Sequence, residues 1–226
     1  MTTTPFGLSD LQTEPLSGLS YRMRIPAPAK PGKLLVLLHG VGSNETNLLD
    51  LASGVDPDTL VVFGQGPLRM GPQQFAWFRV TFTANGPQIV PEEAEHSRKQ
   101  LITLLQQIQL QHGIAPVSSV IAGFSQGGIM SASVALSSPE SVRGFAILSG
   151  RILPELEPQM ASTARLASLR AFVGHGDYDS KLPVHWAERS DAVLQARGVQ
   201  HESHRYPMDH GISAEMHADF VQWLAT

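Results

Sequence analysis

A turn segment in the middle of the chain, residues 123–127 (Gly-Phe-Ser-Gln-Gly), most strongly constrains how this sequence can fold. The preceding residues, 117–122, are mostly apolar and predict a short strand, whereas residues 128–136 predict a helix. The two glycines permit a very sharp turn, so Ser125 would sit in a strained conformation near the positive end of the helix. A chain with 20 glycines can contain the pattern by chance, but the flanking strand and helix favour a turn that presents a nucleophilic serine.

Further apolar runs predict the other strands of a central sheet. Uninterrupted runs closely followed by glycine suit parallel strands buried on both faces; they occupy residues 34–38, 60–63, 145–148 and 171–173. Residues 19–25 alternate weakly, which is typical of an edge strand, and residues 201–206 predict a last short strand. Helical patterns lie between or after these strands, in residues 91–112, 184–197 and 213–224.

The alternation of strands and helices predicts an α/β fold, with a mostly parallel central sheet and helices on both faces. A chain of 226 residues without a linker or repeat is expected to form a single domain, with residues 1–18 as an irregular N-terminal extension. Residues 151–169 are too few to form a cap domain.

The composition argues against several classes of partner. The net charge is −4 and no basic cluster occurs, so we expect no nucleic-acid partner. No apolar run approaches the ~20 residues that span a bilayer. The chain has no cysteine, which excludes disulfides and cysteine-based zinc sites, and we predict no metal and no cofactor. Residues 1–6 lack the features of a signal peptide, so we expect the protein in the cytoplasm.

A serine hydroxyl becomes a good nucleophile only when a base removes its proton and an acid orients that base. On sheets of this kind the three groups follow in the order serine, acid, histidine. Asp177 and Asp179 follow the strand at residues 171–173, so either is a candidate for the acid. His210, in the loop after the last predicted strand, is the candidate base.

The other histidines are weaker candidates for the base. His217 lies within the last helix, and His39 precedes a glycine, which indicates a structural role. His201 and His204 belong to the last strand, where we expect them to be exposed. Their spacing resembles a metal-binding pair, but no third ligand lies nearby, so we predict no metal site.

Stabilisation of a negatively charged intermediate requires two backbone N–H donors. One would come from Gln126, after the serine, and the other from Val41, which glycines flank on both sides. A phosphate-binding loop is the alternative interpretation of this glycine-rich segment. The segment argues against that interpretation, because it lacks the Lys-Ser/Thr of a P-loop and the third glycine of a dinucleotide-binding fingerprint.

Four motifs together resemble the carboxylesterase/phospholipase family of small α/β-hydrolases, which includes acyl-protein thioesterases. Residues 37–42 resemble its Leu-His-Gly-x-Gly segment, and residues 123–128 closely match its Gly-Phe-Ser-Gln-Gly-Gly turn. Residues 175–179 resemble His-Gly-x-x-Asp, and residues 206–210 resemble Tyr-x-x-x-His. The resemblance extends over residues 34–224 in the expected order and implies an α/β-hydrolase fold without a cap domain.

By this resemblance the catalytic residues are Ser125, Asp179 and His210, with Val41 and Gln126 as oxyanion donors. The chain departs from the family pattern at two places. Asp209 stands where glycine is common before the histidine, and residues 180–183 (Ser-Lys-Leu-Pro) replace a Val-Val-Pro-like run after the acid. Neither departure removes a catalytic group, but we expect Asp209 to change how the histidine loop packs.

The substrate-binding residues are less sharply indicated. Residues 65–90 form an unusually long connection, in which residues 75–78 (Phe-Ala-Trp-Phe) resemble a Trp-Phe segment beside the family's active site. These aromatic side chains could instead anchor the connection on the core. The predicted substrate-binding residues are Trp77, Phe78, Met70 and Leu182.

The sequence therefore predicts a serine hydrolase that cleaves carboxylic esters of short-to-medium acyl chain through an acyl-enzyme, with a small-molecule ester as its partner. The alternatives are a thioesterase or lysophospholipase, a lactonase similar to dienelactone hydrolases, and a non-catalytic binding protein. A homodimer is the oligomeric state to test.

Overall fold

The computed structural model describes residues 6–83 and 86–226 of the chain. The first five residues of the predicted N-terminal extension, on which the expectation about a signal peptide largely rests, lie outside this part, as do residues 84 and 85 of the long connection.

The structure contains thirteen strands and five α-helices in its described part. The strands are β1 (Gly7–Leu8), β2 (Gln12–Thr13), β3 (Ser20–Ile25), β4 (Lys33–Leu38), β5 (Thr59–Gly64), β6 (Leu68–Gly71), β7 (Gln74–Ala76), β8 (Val80–Thr83), β9 (Gly86–Ile89), β10 (Ser119–Phe124), β11 (Gly144–Leu148), β12 (Arg170–Gly176) and β13 (Gln200–Tyr206). The helices are α1 (Pro91–His112), α2 (Gln126–Ser137), α3 (Thr163–Leu166), α4 (His185–Ala196) and α5 (Ala214–Ala225). Short 3₁₀ helices occupy Leu49–Ala52, Pro116–Ser118, Pro139–Ser141 and Pro154–Gln159.

Nine strands form the central sheet in the order β1-β3-β5-β4-β10-β11-β12-β13, with β2 also paired to β3. Within this sheet the pairs β5–β4, β4–β10, β10–β11, β11–β12 and β12–β13 are parallel, whereas β3 pairs antiparallel to β5. The prediction of a mostly parallel sheet is confirmed. The expectation of an edge strand at residues 19–25 needs correction, because β1 and β2 pair with the outer side of β3 and form two short strands within the N-terminal extension.

Alternate residues of the parallel strands point to opposite faces, and each face is covered by helices. On one face, Leu34, Val36 and Leu38 of β4 belong to a cluster that includes buried residues of α1, α2 and α4. On the other face, Leu35 and Leu37 pack in a second cluster with α5. This two-sided burial explains why the central strands are uninterrupted apolar runs.

The helix ends follow local signals in the sequence. Helix α1 begins at Pro91 and ends before Gly113, whose φ of 65° lies in the left-handed region. Helix α5 is capped by the Ser213 hydroxyl, which accepts a hydrogen bond from the N–H of Met216 at 3.1 Å.

Residues 65–90, the unusually long connection, contain strands of their own. They contain two antiparallel hairpins, β6–β7 and β8–β9. Residues 151–169 carry only the 3₁₀ helix Pro154–Gln159 and α3. No helix in residues 6–83 and 86–226 combines the length and the apolar character that crossing a bilayer would require.

Candidate active site

The carboxyl ends of the parallel strands bring the predicted site residues to one edge of the sheet. Ser125 follows β10, Asp179 lies three residues after β12, and His210 lies four residues after β13. Val41 lies in the loop after β4, which pairs with β10 so that Leu38 is opposite Gly123. This register places the loop of Val41 beside the serine turn.

Ser125 occupies the strained turn that the sequence predicts. Its φ of 53° and ψ of −115° form a backbone conformation that non-glycine residues rarely adopt. The surrounding structure holds it there, since its N–H donates to the Leu148 carbonyl at 2.8 Å. A Cβ atom on Gly127 would overlap the carbonyl of Leu38, and one on Gly123 would overlap the backbone of Gly127. Both glycines are therefore required by the close approach of backbone to backbone.

A continuous chain of hydrogen bonds joins the three predicted catalytic side chains. The Ser125 Oγ atom lies 3.0 Å from His210 Nε2. The other ring nitrogen, Nδ1, lies 2.7 Å from Asp179 Oδ2. This geometry fits a tautomer in which Nδ1–H donates to the carboxylate and Nε2 accepts the serine hydroxyl proton.

The Asp179 side chain is completely buried, and several hydrogen-bond donors stabilise its ionised form. Burial alone would raise its pKa, but the hydrogen bond from His210 and the backbone N–H groups of Leu182 and Lys181 hold the pKa below its usual value. Those two N–H groups donate to Oδ1 at 2.7 and 2.9 Å, respectively. The alternative acid, Asp177, instead accepts a hydrogen bond from Arg205 Nε at 2.7 Å. The structure therefore brings Asp179, not Asp177, to His210.

A second histidine, His175, lies beneath the acid and was not assigned a role from the sequence. Its side chain is completely buried, and its Nε2–H donates to the Leu182 carbonyl at 2.8 Å. The same nitrogen lies 3.3 Å from Asp179 Oδ2. Burial lowers the pKa of His175, so the ring is neutral at neutral pH. A further N–H group thus faces the carboxylate without adding a charge.

Asp209, the departure from the family pattern, links the histidine loop to the acid loop. Its Oδ1 atom accepts hydrogen bonds from the backbone N–H groups of Ser180 and His210, both at 2.7 Å. Its Oδ2 atom accepts a third from the Ser180 hydroxyl at 3.2 Å. The hydrogen bonds from Ser180 and His210 lower the pKa of this exposed carboxyl.

Two backbone N–H groups beside Ser125 are free to bind an anion. Neither the Val41 nor the Gln126 N–H donates to another residue in the described part of the chain, and both residues line the cavity that contains Ser125. Gln126 is also the first residue of α2, so its N–H lies at the positive end of that helix.

His39 holds the loop that carries Val41. Its Nε2 atom accepts the N–H of Gly66 at 2.9 Å, so Nδ1 carries the proton and donates to the Gly40 carbonyl at 2.7 Å. Burial lowers the pKa of this ring, which keeps it neutral. The Trp77 indole N–H donates to the His39 carbonyl at 3.0 Å and fixes the loop from the other side.

The side chain of Gln126 has a structural role that the sequence did not reveal. Its Oε1 atom accepts the N–H of Trp77 at 2.7 Å, and its Nε2 donates to the Phe78 carbonyl at 2.7 Å. Gln126 therefore places its N–H beside Ser125 and uses its side-chain amide to hold residues 77 and 78 against α2.

The cavity over Ser125 has a volume of about 480 Å³ and mostly apolar walls. Phe78 and Leu182, two of the predicted substrate-binding residues, line it. Two others need correction: Trp77 is completely buried behind the wall, and Met70 is 52% exposed on β6, away from the cavity. Further apolar side chains complete the walls; they are Val80, Pro87, Ile89, Phe124 and Ile129.

The remaining histidines considered from the sequence lie away from Ser125. His217 Nε2 is 3.0 Å from the Ser53 carbonyl, and His201 Nε2 is 2.8 Å from Asp191 Oδ1. His204 stacks on Phe172. His201 and His204 are both only partly exposed, so the expectation that they are exposed needs correction. Within the described residues, no group of three or more potential ligand side chains is arranged to hold a metal ion.

Comparisons with known proteins identify the family. The model of the phospholipase/carboxylesterase family matches residues 22–226. An acyl-protein thioesterase 1 of Kluyveromyces lactis is 29% identical over 220 residues, which cover 90% of this chain and 96% of that protein. The crystal structure of esterase PE8 superposes with a TM-score of 0.81 at 26% identity, covering 92% of this chain and 98% of the other.

A carboxylesterase structure from Mesorhizobium loti has the same TM-score, 0.81, at 22% identity, and covers 96% of this chain and 99% of its own. This likeness shows a shared α/β-hydrolase fold. Together with the family match, it confirms the resemblance that the four sequence motifs indicate. The chain belongs to the phospholipase/carboxylesterase family of α/β-hydrolases, a family of ester-cleaving enzymes.

Proposed function

We propose that this enzyme hydrolyses carboxylic esters of short-to-medium acyl chain, with Ser125 as nucleophile, His210 as general base and Asp179 as the acid that orients the base. The observation that carries the proposal is the hydrogen-bond chain from Ser125 Oγ through both nitrogens of His210 to Asp179 Oδ2, at 3.0 and 2.7 Å.

Acylation begins when His210 Nε2 takes the hydroxyl proton and Ser125 Oγ attacks the ester carbonyl carbon. The carbonyl oxygen becomes an oxyanion, and the N–H groups of Val41 and Gln126 donate to it. The buried carboxylate of Asp179 stabilises the imidazolium that forms. His210 then gives the proton to the leaving alcohol, and the acyl group stays bound to Ser125.

Deacylation repeats these steps with water as the nucleophile. His210 removes a proton from a water molecule, which attacks the acyl carbonyl, and the same two N–H groups stabilise the second oxyanion. The proton returns to Ser125 Oγ as the acid product leaves. In both steps the neutral form of the His210 ring acts as the base.

The walls of the cavity support the substrate class. Phe78, Leu182 and Ile129 give an acyl chain an apolar surface, and a volume of about 480 Å³ suits a small ester. A thioester is the second candidate, because the Kluyveromyces lactis relative is named an acyl-protein thioesterase. Parallel assays of an oxygen ester and a thioester with the same acyl group discriminate the two.

The first test is hydrolysis of p-nitrophenyl esters of increasing chain length by the native protein and by Ser125→Ala. We expect an optimum at short or medium chains, and a loss of at least about 10³-fold in kcat for the variant, with unchanged folding by circular dichroism. Half of the native activity or more in Ser125→Ala would contradict the assignment of the nucleophile.

We propose that the enzyme acts in the cytoplasm on a small-molecule ester, with a homodimer as the oligomer to test. Cell fractionation tests the first part, and light scattering coupled to gel filtration tests the second.

A further inference from the structure

The cavity over Ser125 contains a cation that the proposed mechanism does not use. Arg151 lies three residues after β11 and lines this cavity with Ser125 and His210, yet it is only 3% exposed. Lys181, an exposed residue, lines the same cavity. No aspartate or glutamate does so among the described residues, and residues 1–5, 84 and 85 include none in the sequence.

The Arg151 guanidinium has no acceptor in the described part of the chain. No hydrogen bond or ion pair joins it to another described residue, and its Nε atom is completely buried without a partner. Burial lowers the pKa of Arg151 and the charge of Glu155 opposes this effect, but the two side chains form no ion pair. A guanidinium stays protonated in proteins, so up to five N–H donors remain available.

Arg151 does have one contact, with the ring of Trp186. Its Cζ atom lies 4.1 Å from the ring centroid, and Arg189 lies 5.0 Å from the same ring. This contact with the ring face partly offsets the cost of burying the charge. The contact gives the N–H donors no acceptor, however, and buried polar groups are normally hydrogen-bonded. Arg151 is therefore a buried donor, in contact with a ring, that lacks an acceptor among the described residues.

We propose that Arg151 is a specificity-determining residue that binds a carboxylate of the substrate, so that the preferred substrates are esters carrying a free carboxylate, such as half-esters of dicarboxylic acids. A planar guanidinium matches the two oxygens of a carboxylate, and the low-dielectric surroundings of Arg151 strengthen the pair. The inference rests on the proposed function, since it names the substrate class of the same site.

The test compares matched neutral and anionic esters in a pH-stat assay. For a carboxylate on the acyl side, the pair is ethyl pentanoate and monoethyl glutarate. For a carboxylate on the alcohol side, it is phenyl acetate and 4-carboxyphenyl acetate. We expect the anionic ester to have a kcat/KM at least about tenfold higher in one of the two pairs, as the usual strength of charged hydrogen bonds implies.

Variants assign the preference to a residue. In Arg151→Met we expect the anionic-to-neutral ratio of kcat/KM to fall to about one, and in Arg151→Lys to an intermediate value. Arg189→Met is the matched control, because Arg189 contacts the same ring but does not line this cavity; its ratio should equal that of the native enzyme. If Arg151→Met does not fold, inhibition of the native enzyme is measured instead. Inhibition by glutarate but not by glutaramide would show that the site binds a carboxylate, and equal inhibition by the two would contradict the proposal.

The outcomes separate this inference from the proposed function. A native enzyme that cleaves none of the four esters contradicts the proposed function. A native enzyme whose kcat/KM is the same for the neutral and the anionic ester in both pairs contradicts the carboxylate preference alone. If Arg151→Met loses activity on neutral and anionic esters equally, so that the anionic-to-neutral ratio of kcat/KM does not change, the role of Arg151 is structural and the proposal is wrong. If Lys181→Met loses the carboxylate preference and Arg151→Met keeps it, the preference belongs to Lys181.

Discussion

At the scale of single residues, most polar side chains of the site are held by more than one partner. Asp179 receives hydrogen bonds from His210 and from two backbone N–H groups, and His175 adds a further donor 3.3 Å away. Asp209 accepts hydrogen bonds from both the loop that follows Asp179 and the loop of His210. These contacts fix the geometry before the substrate binds, and a preorganised site of this kind avoids reorganisation during the reaction.

The two neighbouring aspartates give a matched test of this geometry. Asp179→Asn keeps the side-chain size but removes the charge and disturbs the tautomer of His210, so we expect kcat to fall by roughly 10³- to 10⁴-fold. Asp177→Asn breaks only the exposed pair with Arg205 and should change kcat by less than about threefold. Steady-state kinetics on a p-nitrophenyl ester measures both, and a larger loss for Asp177→Asn would reverse the assignment of the acid.

At the scale of secondary-structure elements, the site depends on contacts between segments far apart in the chain. The side chain of Gln126, on the first turn of α2, bonds the backbone of Trp77 and Phe78 nearly fifty residues earlier. Trp77 in turn bonds the His39 carbonyl in the loop after β4. The loop of Val41, the cavity wall at Phe78 and the start of α2 are thereby fixed relative to one another.

Gln126→Met tests this connection without removing the backbone N–H of residue 126. The substitution leaves the buried Trp77 N–H and Phe78 carbonyl without partners, so we expect the free energy of unfolding to fall by about 2–4 kcal/mol. Gln88→Met, at an exposed position on β9, is the control and should change stability by less than about 0.5 kcal/mol. Urea unfolding at neutral pH measures both. Equal stabilities of the two variants would show that the amide of Gln126 does not hold the segment.

The elements with strong local signals were predictable from the sequence, and those that depend on distant partners were not. Residues 91–112 were predicted as a helix with the bounds of α1, because proline and glycine mark its ends. Strands β4 and β5 extend the predicted apolar runs by only one or two residues. The two hairpins in residues 65–90 lack such a signal, since they are short and lie outside the main sheet.

The same distinction holds within the site. The glycines around Ser125 and the order serine, acid, histidine are visible in the sequence because the strained turn and the strand ends require particular residues. The role of Gln126 as a link to Trp77, the position of His175 under Asp179 and the unpaired state of Arg151 arise from tertiary contacts. An aromatic residue such as Trp77 gives the same sequence signal whether it lines a cavity or packs behind its wall.

At the scale of the whole molecule, burying two neutral histidines makes stability depend on pH. Burial lowers the pKa of both His39 and His175 below the value of 6.5 expected in the unfolded chain. Between the lowered pKa and about 6.5 the unfolded chain therefore binds more protons than the folded one. The contribution of these two histidines to the free energy of unfolding is complete above about pH 6.5. It is lost as the pH falls toward their folded-state pKa.

Urea unfolding at pH 7.5 and pH 5.5 tests this linkage. We expect the native protein to be less stable at pH 5.5, by at most about 1.4 kcal/mol per pH unit for each histidine. His175→Gln should show a smaller difference between the two pH values, whereas His185→Gln, at an exposed position, should match the native protein. A native stability that does not change between these pH values would contradict the account of the buried histidines.

The most direct measurement of the central claim is covalent labelling with a fluorophosphonate, followed by mass spectrometry of the intact protein and of its peptides. The reagent reacts with a serine only when a base activates it, so labelling reports the coupling of Ser125 to His210. We predict one adduct per chain, located on Ser125, absent in Ser125→Ala and strongly reduced in His210→Ala. An adduct on another serine, or unchanged labelling of Ser125→Ala, would contradict the catalytic assignment.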